Sequence, residues 1–440
     1  MAPVSLSRWI GRRASLPSMN AVDDEERDAL RQDLSWDLSF SAVEVGGSAA
    51  LGADVRLDLA PHVTVLVGKN GAGKSLLFEK LEAGILAALG VPPGPDPTSF
   101  ACEVDVRAAT VEGLKLRYEC HYQLLDTSPD VRAAEFQGSQ ISSEMDIKVD
   151  ERCRQISPGE ADLWRVDDGL VTYNTGKHAE IVAGRTLLNW VVSRPRRRSR
   201  SPRKFLFPAM TYPLRNLFMG VFRVPAGVPR DGKRDELALP YPEPFGGRPG
   251  RAFLDAGWRI RRLVYNLVRW HEDDRERFDE FVDLGRRTGL LDEVKVKLYR
   301  DPEASSGPRR RDLVSILING TDLGLLSDGT LRVAEILMWL LLPGLKLLFV
   351  EEPETAVHPG LLSKLLAEFD AYASDRQLVL ATQAPQVVSW ADPLAIRLVE
   401  RRSTHTEVRR LHDDEVARLS AYLHDEGTLG DFVYSGALDG

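Results

Sequence analysis

The sequence predicts an α/β protein: a mixed, mostly parallel sheet with an N-terminal antiparallel β region and a helical lobe. Three observations predict it. An apolar, β-branched run, Val63 to Val67, passes through a glycine-rich turn into a helical pattern over Leu76–Leu89. Two more apolar runs, Lys346–Val350 and Gln377–Ala381, end in polar residues and flank a helix opened by Pro359. Between Trp36 and Leu124, alternating stretches read as half-buried strands.

The elements follow in order. Residues 1–35 are a polar tail with a short helix. Trp36–Val45 and Val55–Leu59 pair ahead of the run at Val63, whose helix stops at Gly90 and Pro92. Ala101–Ala108, Lys115–Leu124 and Met145–Val149 read as antiparallel strands, and 150–180 as hairpins. Arg194 to Lys204 is a low-complexity basic loop, and Pro225–Pro249 a long Pro/Gly-rich loop. Phe253–Trp270 and Glu272–Gly285 are amphipathic helices with dense charged faces and no sustained heptads. Leu313–Leu317 is a strand, and a helix follows Leu326–Thr330 up to Leu341. The helix from Pro359 reaches about Ser374; Ile396–Arg401 and Glu407–Leu411 form a hairpin, and Asp414–His424 a last helix. The chain thus divides into a tail (1–35), an N-terminal lobe (36–190), a segment of loops and helices (191–312) and a C-terminal lobe (313–440).

Composition narrows the function. A chain of 440 residues builds a sizeable core, and 43% apolar with 28% charged residues is ordinary for a globular protein. The net charge of −8 does not steer it to nucleic acid, so such binding needs a local patch, for which Arg194–Lys204 is the candidate. Cys102, Cys120 and Cys153 are odd in number and lack metal-ligand spacing, which fits a reducing cytoplasm. No apolar run approaches a membrane span, and the N-terminus has no signal-peptide core.

The turn after Val67 reads Gly68-Lys69-Asn70-Gly71-Ala72-Gly73-Lys74-Ser75, matching G-x-x-x-x-G-K-[ST] between a strand and a helix. Its glycines let backbone N–H groups of Asn70 to Leu76 turn toward a phosphate, and the helix N-terminus adds partial positive charge. Lys74 supplies a full charge, and Ser75 a hydroxyl for Mg²⁺. Glu351 and Glu352 end an apolar strand. In a nucleotide-binding sheet one carboxylate holds the metal and a second orients the attacking water. Ser327-Asp328-Gly329 sits at a helix start, where Ser327 or Asp328 caps the helix and the N–H groups can face an anion.

Taken together, the phosphate loop, Leu326-Ser327-Asp328-Gly329-Thr330, the strand ending Glu351-Glu352-Pro353-Glu354, and Thr382-Gln383-Ala384-Pro385 resemble the heads of ABC-class ATPases. The resemblance is to the soluble SMC/RecF/OLD-like group, often labelled AAA-family. It covers 63–90 and 313–440 well, and 91–312 only in layout. It extends to the tail from Thr428-Leu429-Gly430-Asp431 to Gly440.

The resemblance implies an ABC-ATPase head that binds and hydrolyses ATP with Mg²⁺. Two copies would meet head-to-tail around two ATP molecules. It implies Gly68 and Asn70–Leu76 on the phosphates, Ser75 and Glu351 on the metal, and Glu352 as catalytic glutamate. Ser327, Asp328 and Gly329 match the signature that reaches the γ-phosphate across the dimer, and Glu354–His358 match the D-loop. Gln383 stands where the switch histidine usually lies. Three positions depart from the pattern: Glu351 for Asp, Asp328 for a second signature glycine, and Gln383, which cannot carry charge. The last implies slow turnover. Gln137, Gln140 and Gln155 all remain candidates for the Q-loop glutamine. The expected output is a switch controlling a separate effector or nucleic acid, in bacterial antiviral defence or genome maintenance. A nucleotide-sensing scaffold with little turnover and the ATPase subunit of a transporter are the alternatives.

Overall fold

The computed structural model describes residues 37–89, 98–108, 111–124, 147–167, 169–173, 178–180, 186–188, 211–226, 239–240, 256–299 and 313–424, with residues 428, 430 and 431. The basic loop at Arg194–Lys204, Gln137 and Gln140, the N-terminal tail and most of the Pro/Gly-rich loop lie outside them.

In chain order, the first elements are β1 (Asp37–Gly46), β2 (Val55–Asp58), β3 (Val63–Val67) and α1 (Lys74–Ala88). There follow β4 (Thr98–Ala108), β5 (Val111–Leu124), β6 (Ile147–Ser157), β7 (Ala161–Asp167), β8 (Leu170–Tyr173) and β9 (His178–Glu180). The middle of the chain forms α2 (Thr211–Met219), β10 (Val221–Val224), β11 (Leu239–Pro240), α3 (Ala256–Asp273), α4 (Arg275–Thr288) and β12 (Val294–Tyr299). After these come β13 (Leu313–Ile318), β14 (Thr321–Asp322), α5 (Asp328–Leu340), β15 (Leu347–Glu351), α6 (Pro359–Tyr372) and β16 (Gln377–Thr382). The last are α7 (Pro385–Trp390), β17 (Ile396–Arg401), β18 (Thr406–Arg410) and α8 (Asp413–His424). The expected mixed α/β architecture is thus what the chain adopts.

The chain forms two compact units. The first takes the described residues up to Pro61, then Gly68–Val221 and Arg397–Arg410; the second takes His62–Val67, Phe222–Ile396 and the described residues from Leu411 on. Strand β3 therefore belongs to one unit and the glycine turn that continues it to the other.

The first unit is built on an antiparallel sheet of order β2-β1-β4-β5-β6-β7-β8-β9. Strand alternation puts Phe40, Phe100 and Tyr118 on its inner face, all buried, where they surround Phe218 of α2 at centroid distances of 5.1 to 5.9 Å. Helix α1 packs on the same sheet, and Gly84 admits it: a Cβ there would meet the Phe100 ring at 2.8 Å. The outer face is polar and laced with ion pairs. Arg56 bonds Glu44, Asp58 and Glu103, while Arg117 bonds Glu44, Glu103 and Glu119. The Arg56 hydrogen bond is the main reason Glu103 stays below the usual carboxylate range. Strand β6 is longer than the pattern at Met145–Val149 suggested, because its inward positions Val149, Glu151, Cys153 and Gln155 alternate through to the turn at Pro158. Cys102, Cys120 and Cys153 are all buried free thiols of this face.

In the second unit, three parallel strands pair in register. Glu351 of β15 lies beside Ala381 of β16, and Ala381 beside Leu66 of β3. All three strands are buried almost throughout, as their unbroken apolar runs require. Strand β10 borders β15, and β11, β13, β12 and β14 make a small antiparallel sheet. Helices α3 and α4 pack against α5, the apolar helix that starts at Asp328. Helix α4 is capped by Asp274, whose side chain accepts from the Arg277 N–H, and ends in left-handed Gly289. Arg262 of α3 lies over the rings of Phe222 and Trp339, at 4.4 and 4.3 Å, which ties β10 to α5. Burial lowers its guanidinium to about 9. Among the described residues, no helix is long and apolar enough to cross a membrane.

One buried acid gives the fold a pH signature. Glu151 is 2% exposed in the first unit, accepts the Leu187 N–H at 2.5 Å, and is pushed up to about 7 by burial. The native chain keeps this proton where an unfolded one loses it. The contribution to stability therefore falls as pH rises from the ordinary glutamate value of 4.5 to about 7, and is flat above. Glu151→Gln, which keeps the acceptor, should remove that slope. Thermal unfolding should show the variant more stable than wild type at pH 8 and close to it at pH 4.5.

Candidate functional site

The phosphate loop begins where β3 ends. Gly68 is tight: a Cβ there would sit 2.3 Å from the Val399 carbonyl oxygen of β17. Gly73 has φ 103°, and a Cβ on it would meet the Thr406 hydroxyl of β18 at 2.7 Å. Thr406 is buried, and its hydroxyl also donates to the Ala72 carbonyl at 3.4 Å. A threonine some 330 residues downstream thus props the loop from behind; no sequence signal pointed to it. Gly71 has φ 77° with no atom within 4 Å of its Cβ position, so this part of the loop faces open space.

Lys74 is 7% exposed, and its ammonium donates to the carbonyls of Gly68 at 2.5 Å and Lys69 at 3.2 Å. The charge is thereby held across the mouth of the loop. Helix α1 starts from Gly73 with no side-chain cap, so no side chain blocks its first-turn N–H groups. Of the predicted phosphate-facing amides, that of Ala72 is instead used inside the loop, donating to Lys69 O at 3.1 Å. Asn70 and Ser75 are exposed, and Leu76 half-buried.

In the second unit, the carboxylates cluster at the carboxyl ends of the parallel strands, where ligands of such sheets bind. Glu351 is 3% exposed and accepts from the Nε of Arg223 on β10 at 2.6 Å. Its backbone carbonyl accepts from Arg332, a fully buried arginine of α5 that also donates to Ala226 O. Sequence reasoning missed both arginines. Arg332 had a faint signal, a cation inside the apolar run Leu331–Leu341.

Glu352 has φ 42°, a left-handed conformation costly for a residue with a side chain, on the order of 1 kcal/mol or more. It is held there from both sides. Its N–H donates to Ala381 O at 2.6 Å, and its carboxylate accepts from the Thr355 hydroxyl at 2.9 Å. Such strain, kept at one acid on the rim of a parallel sheet, is the kind that clusters at functional positions. Glu354 reaches across to the end of β16, where it accepts from the Thr382 hydroxyl and the Gln383 N–H. Gln383 is half-buried.

Ser327 caps α5, its hydroxyl accepting the Thr330 N–H at 3.2 Å, and remains exposed. Asp328 is the first residue of the helix. Gly329 is buried against the loop after the glutamates: a Cβ on it would fall 2.0 Å from the Ala356 carbonyl oxygen. Its glycine is thus required inside one chain. The structure therefore groups Glu351, Glu352, Glu354, Gln383 and the Ser327–Gly329 turn in the second unit, and Gly68–Leu76 in the first. Gln155 is buried and donates to Pro158 O, packing of the antiparallel sheet.

The residues suit magnesium and a phosphate. Ser75 and Glu351 are hard oxygen donors, and Mg²⁺ is held by one or two carboxylates plus substrate phosphates and water. Among the described residues, no group of three His, Cys, Asp or Glu side chains forms a cage that would hold a metal alone.

The motifs resemble those of ABC-class P-loop ATPases, as read from the sequence, and part of the chain matches an AAA-domain family model. Residues 262–389 match the family model described as AAA domain, putative AbiEii toxin, Type IV TA system. No curated protein matches the chain. Among solved structures, an SMC head bound to the C-winged helix domain of ScpA aligns at 11% identity and TM-score 0.40, over 86% of this chain and 99% of that one. The SMC head domain from Thermotoga maritima aligns at 11% identity and TM-score 0.35, over 85% and 99%. A Smc head with an extended coiled coil, bound to the C-terminal domain of ScpA derived from Pyrococcus furiosus, aligns at 12% and 0.35, over 88% and 100%.

The Arg223–Glu351 pair makes a prediction about stability. Glu351 is buried and Arg223 half-buried, so removing the arginine strands the buried carboxylate. Arg223→Ala should lower the unfolding midpoint clearly in a denaturant series, and Arg223→Ala with Glu351→Gln should recover part of the loss.

Proposed function

We propose that the chain binds Mg-ATP, hydrolyses it slowly, and acts as a nucleotide-driven switch by closing head-to-tail on a second copy. The observation that carries this reading is the register of the parallel strands. Glu351 stands two strands from Leu66, and Leu66 is two residues ahead of the phosphate loop. That register brings Glu351 and Glu352 to the carboxyl end of the parallel strands, the end at which ligands of such sheets bind.

In this reading Lys74 and the amides around Gly71 and Gly73 hold the β- and γ-phosphates. Ser75 and Glu351 hold magnesium, which neutralises phosphate charge. The longer arm of glutamate and its bond to Arg223 favour contact through a water. Glu352 orients the attacking water and accepts its proton. Gln383 donates a hydrogen bond at the γ-phosphate, and being uncharged stabilises the transition state less than a histidinium. Ser327, Asp328 and Gly329 of a second copy complete the site across the dimer. The partner is a separate effector protein or a nucleic acid, the latter through Arg194–Lys204. The family description's Type IV TA system favours a role in bacterial defence over genome maintenance. The Arg223 pair and Gln383 also support a second reading, a nucleotide sensor with little turnover.

Phosphate release by the purified chain separates these readings. Wild type should turn over ATP at a low rate. Lys74→Ala should abolish ATP binding in calorimetry; unchanged affinity would contradict the loop's role. Glu352→Gln should lower turnover at least a hundredfold while ATP still binds, and should hold an ATP-dependent dimer in light scattering. Wild-type turnover in that variant would exclude Glu352 as the base.

A further inference from the structure

We infer that Glu354 is a positioning residue that locks Gln383 to Glu352. It stands two residues after Glu352, in the turn where the Thr355 N–H donates to Glu352 O and the Val357 N–H to Glu354 O. One oxygen of its carboxylate, Oε1, accepts from two groups of the opposite segment, the Thr382 hydroxyl at 2.8 Å and the Gln383 N–H at 3.2 Å. Thr382 is fully buried, and its hydroxyl accepts in turn from the Ala384 N–H at 2.9 Å. The two segments are therefore stitched three times over three residues: Glu352 N–H to Ala381 O, then Thr382 and Gln383 to Glu354.

The second oxygen, Oε2, is buried with no hydrogen-bond partner among the described residues. A buried carboxylate oxygen without a donor is costly. Gln383, whose own backbone is already held by the same carboxylate, carries an amide NH₂ with the missing donor chemistry. The orientation of Gln383 is thus set by a carboxylate that does not touch the nucleotide itself. This inference rests on the hydrolysis reading.

The test is steady-state ATP hydrolysis on the full chain, with nucleotide binding measured separately. Displacement of a catalytic group by about 1 Å can cost a hundredfold in rate. Glu354→Ala is expected to lower kcat tenfold to a hundredfold, with KM and ATP affinity within about twofold of wild type. Glu354→Gln keeps a carbonyl oxygen for the two donors and is expected to restore kcat to within about threefold. Thr382→Val removes one stitch without changing shape, and is expected to lower kcat in the same direction. In Gln383→Ala, adding Glu354→Ala is expected to cost little more, since the carboxylate then has no switch amide to place.

A wild-type kcat in Glu354→Ala or Thr382→Val would overturn the inference. So would failure of Glu354→Gln to rescue, since a charge requirement makes Glu354 an acid or base in its own right, and so would full additivity with Gln383→Ala. If Glu354→Ala fails to fold by circular dichroism, Thr382→Val and Glu354→Gln decide. Absence of ATP turnover in the wild type would sink the hydrolysis reading and this one with it; turnover insensitive to Glu354 would sink this one alone.

Discussion

The parallel pairing of β15, β16 and β3 is the constraint on which the rest depends. Parallel strands in register bring their carboxyl ends to one level, so whatever follows each strand is delivered to the same rim. Here β15 ends at Glu351 with Glu352 next, and β16 ends at Thr382 with Gln383 next. A one-residue slip of β15 would turn Glu351 to the opposite face and break its pair with Arg223. Full burial on both faces makes such a slip expensive, because every residue of β15 and β16 is an inside residue.

Around that rim the chain spends stability on geometry. Glu352 sits at positive φ, as does Ala356 at 60°, within five residues of each other. Two cations, half-buried Arg223 and buried Arg332, are committed to one glutamate, one to its carboxylate and one to its backbone. Such an arrangement does not maximise stability, since buried ion pairs are at best neutral against apolar packing. It does fix where the Glu351 carboxylate points.

Much of this was legible in the sequence, and the reasons differ by element. The strand–turn–helix at Val63–Leu89 was clear because glycine spacing and hydrophobic period agree, although the helix begins at Lys74, two residues earlier than its apolar pattern. The strand ending in Glu351 and the helix at Pro359 were clear for the same reason. The supports were not. Thr406 against Gly73 and Arg223 against Glu351 join residues hundreds or more than a hundred positions apart, and no local pattern encodes such a pair. Glu354 was visible only as part of a loop; its role depends on Thr382 lying opposite, which strand register alone decides. The ion-pair lattice of Arg56 and Arg117 was invisible too, since its members come from four strands of the antiparallel sheet.

The contact between Gly329 and Ala356 has a mechanical consequence for helix α5. Backbone meets backbone there, with no side chain to absorb slack. Any shift of the turn behind Glu352 is therefore passed undamped to the first turn of α5, and from there along an apolar rod of 13 residues whose far end lies at Leu340. Arg376 holds that end through the Leu340 carbonyl. The helix has a push point at one tip and a fixed fulcrum at the other, the mechanical requirements of a lever.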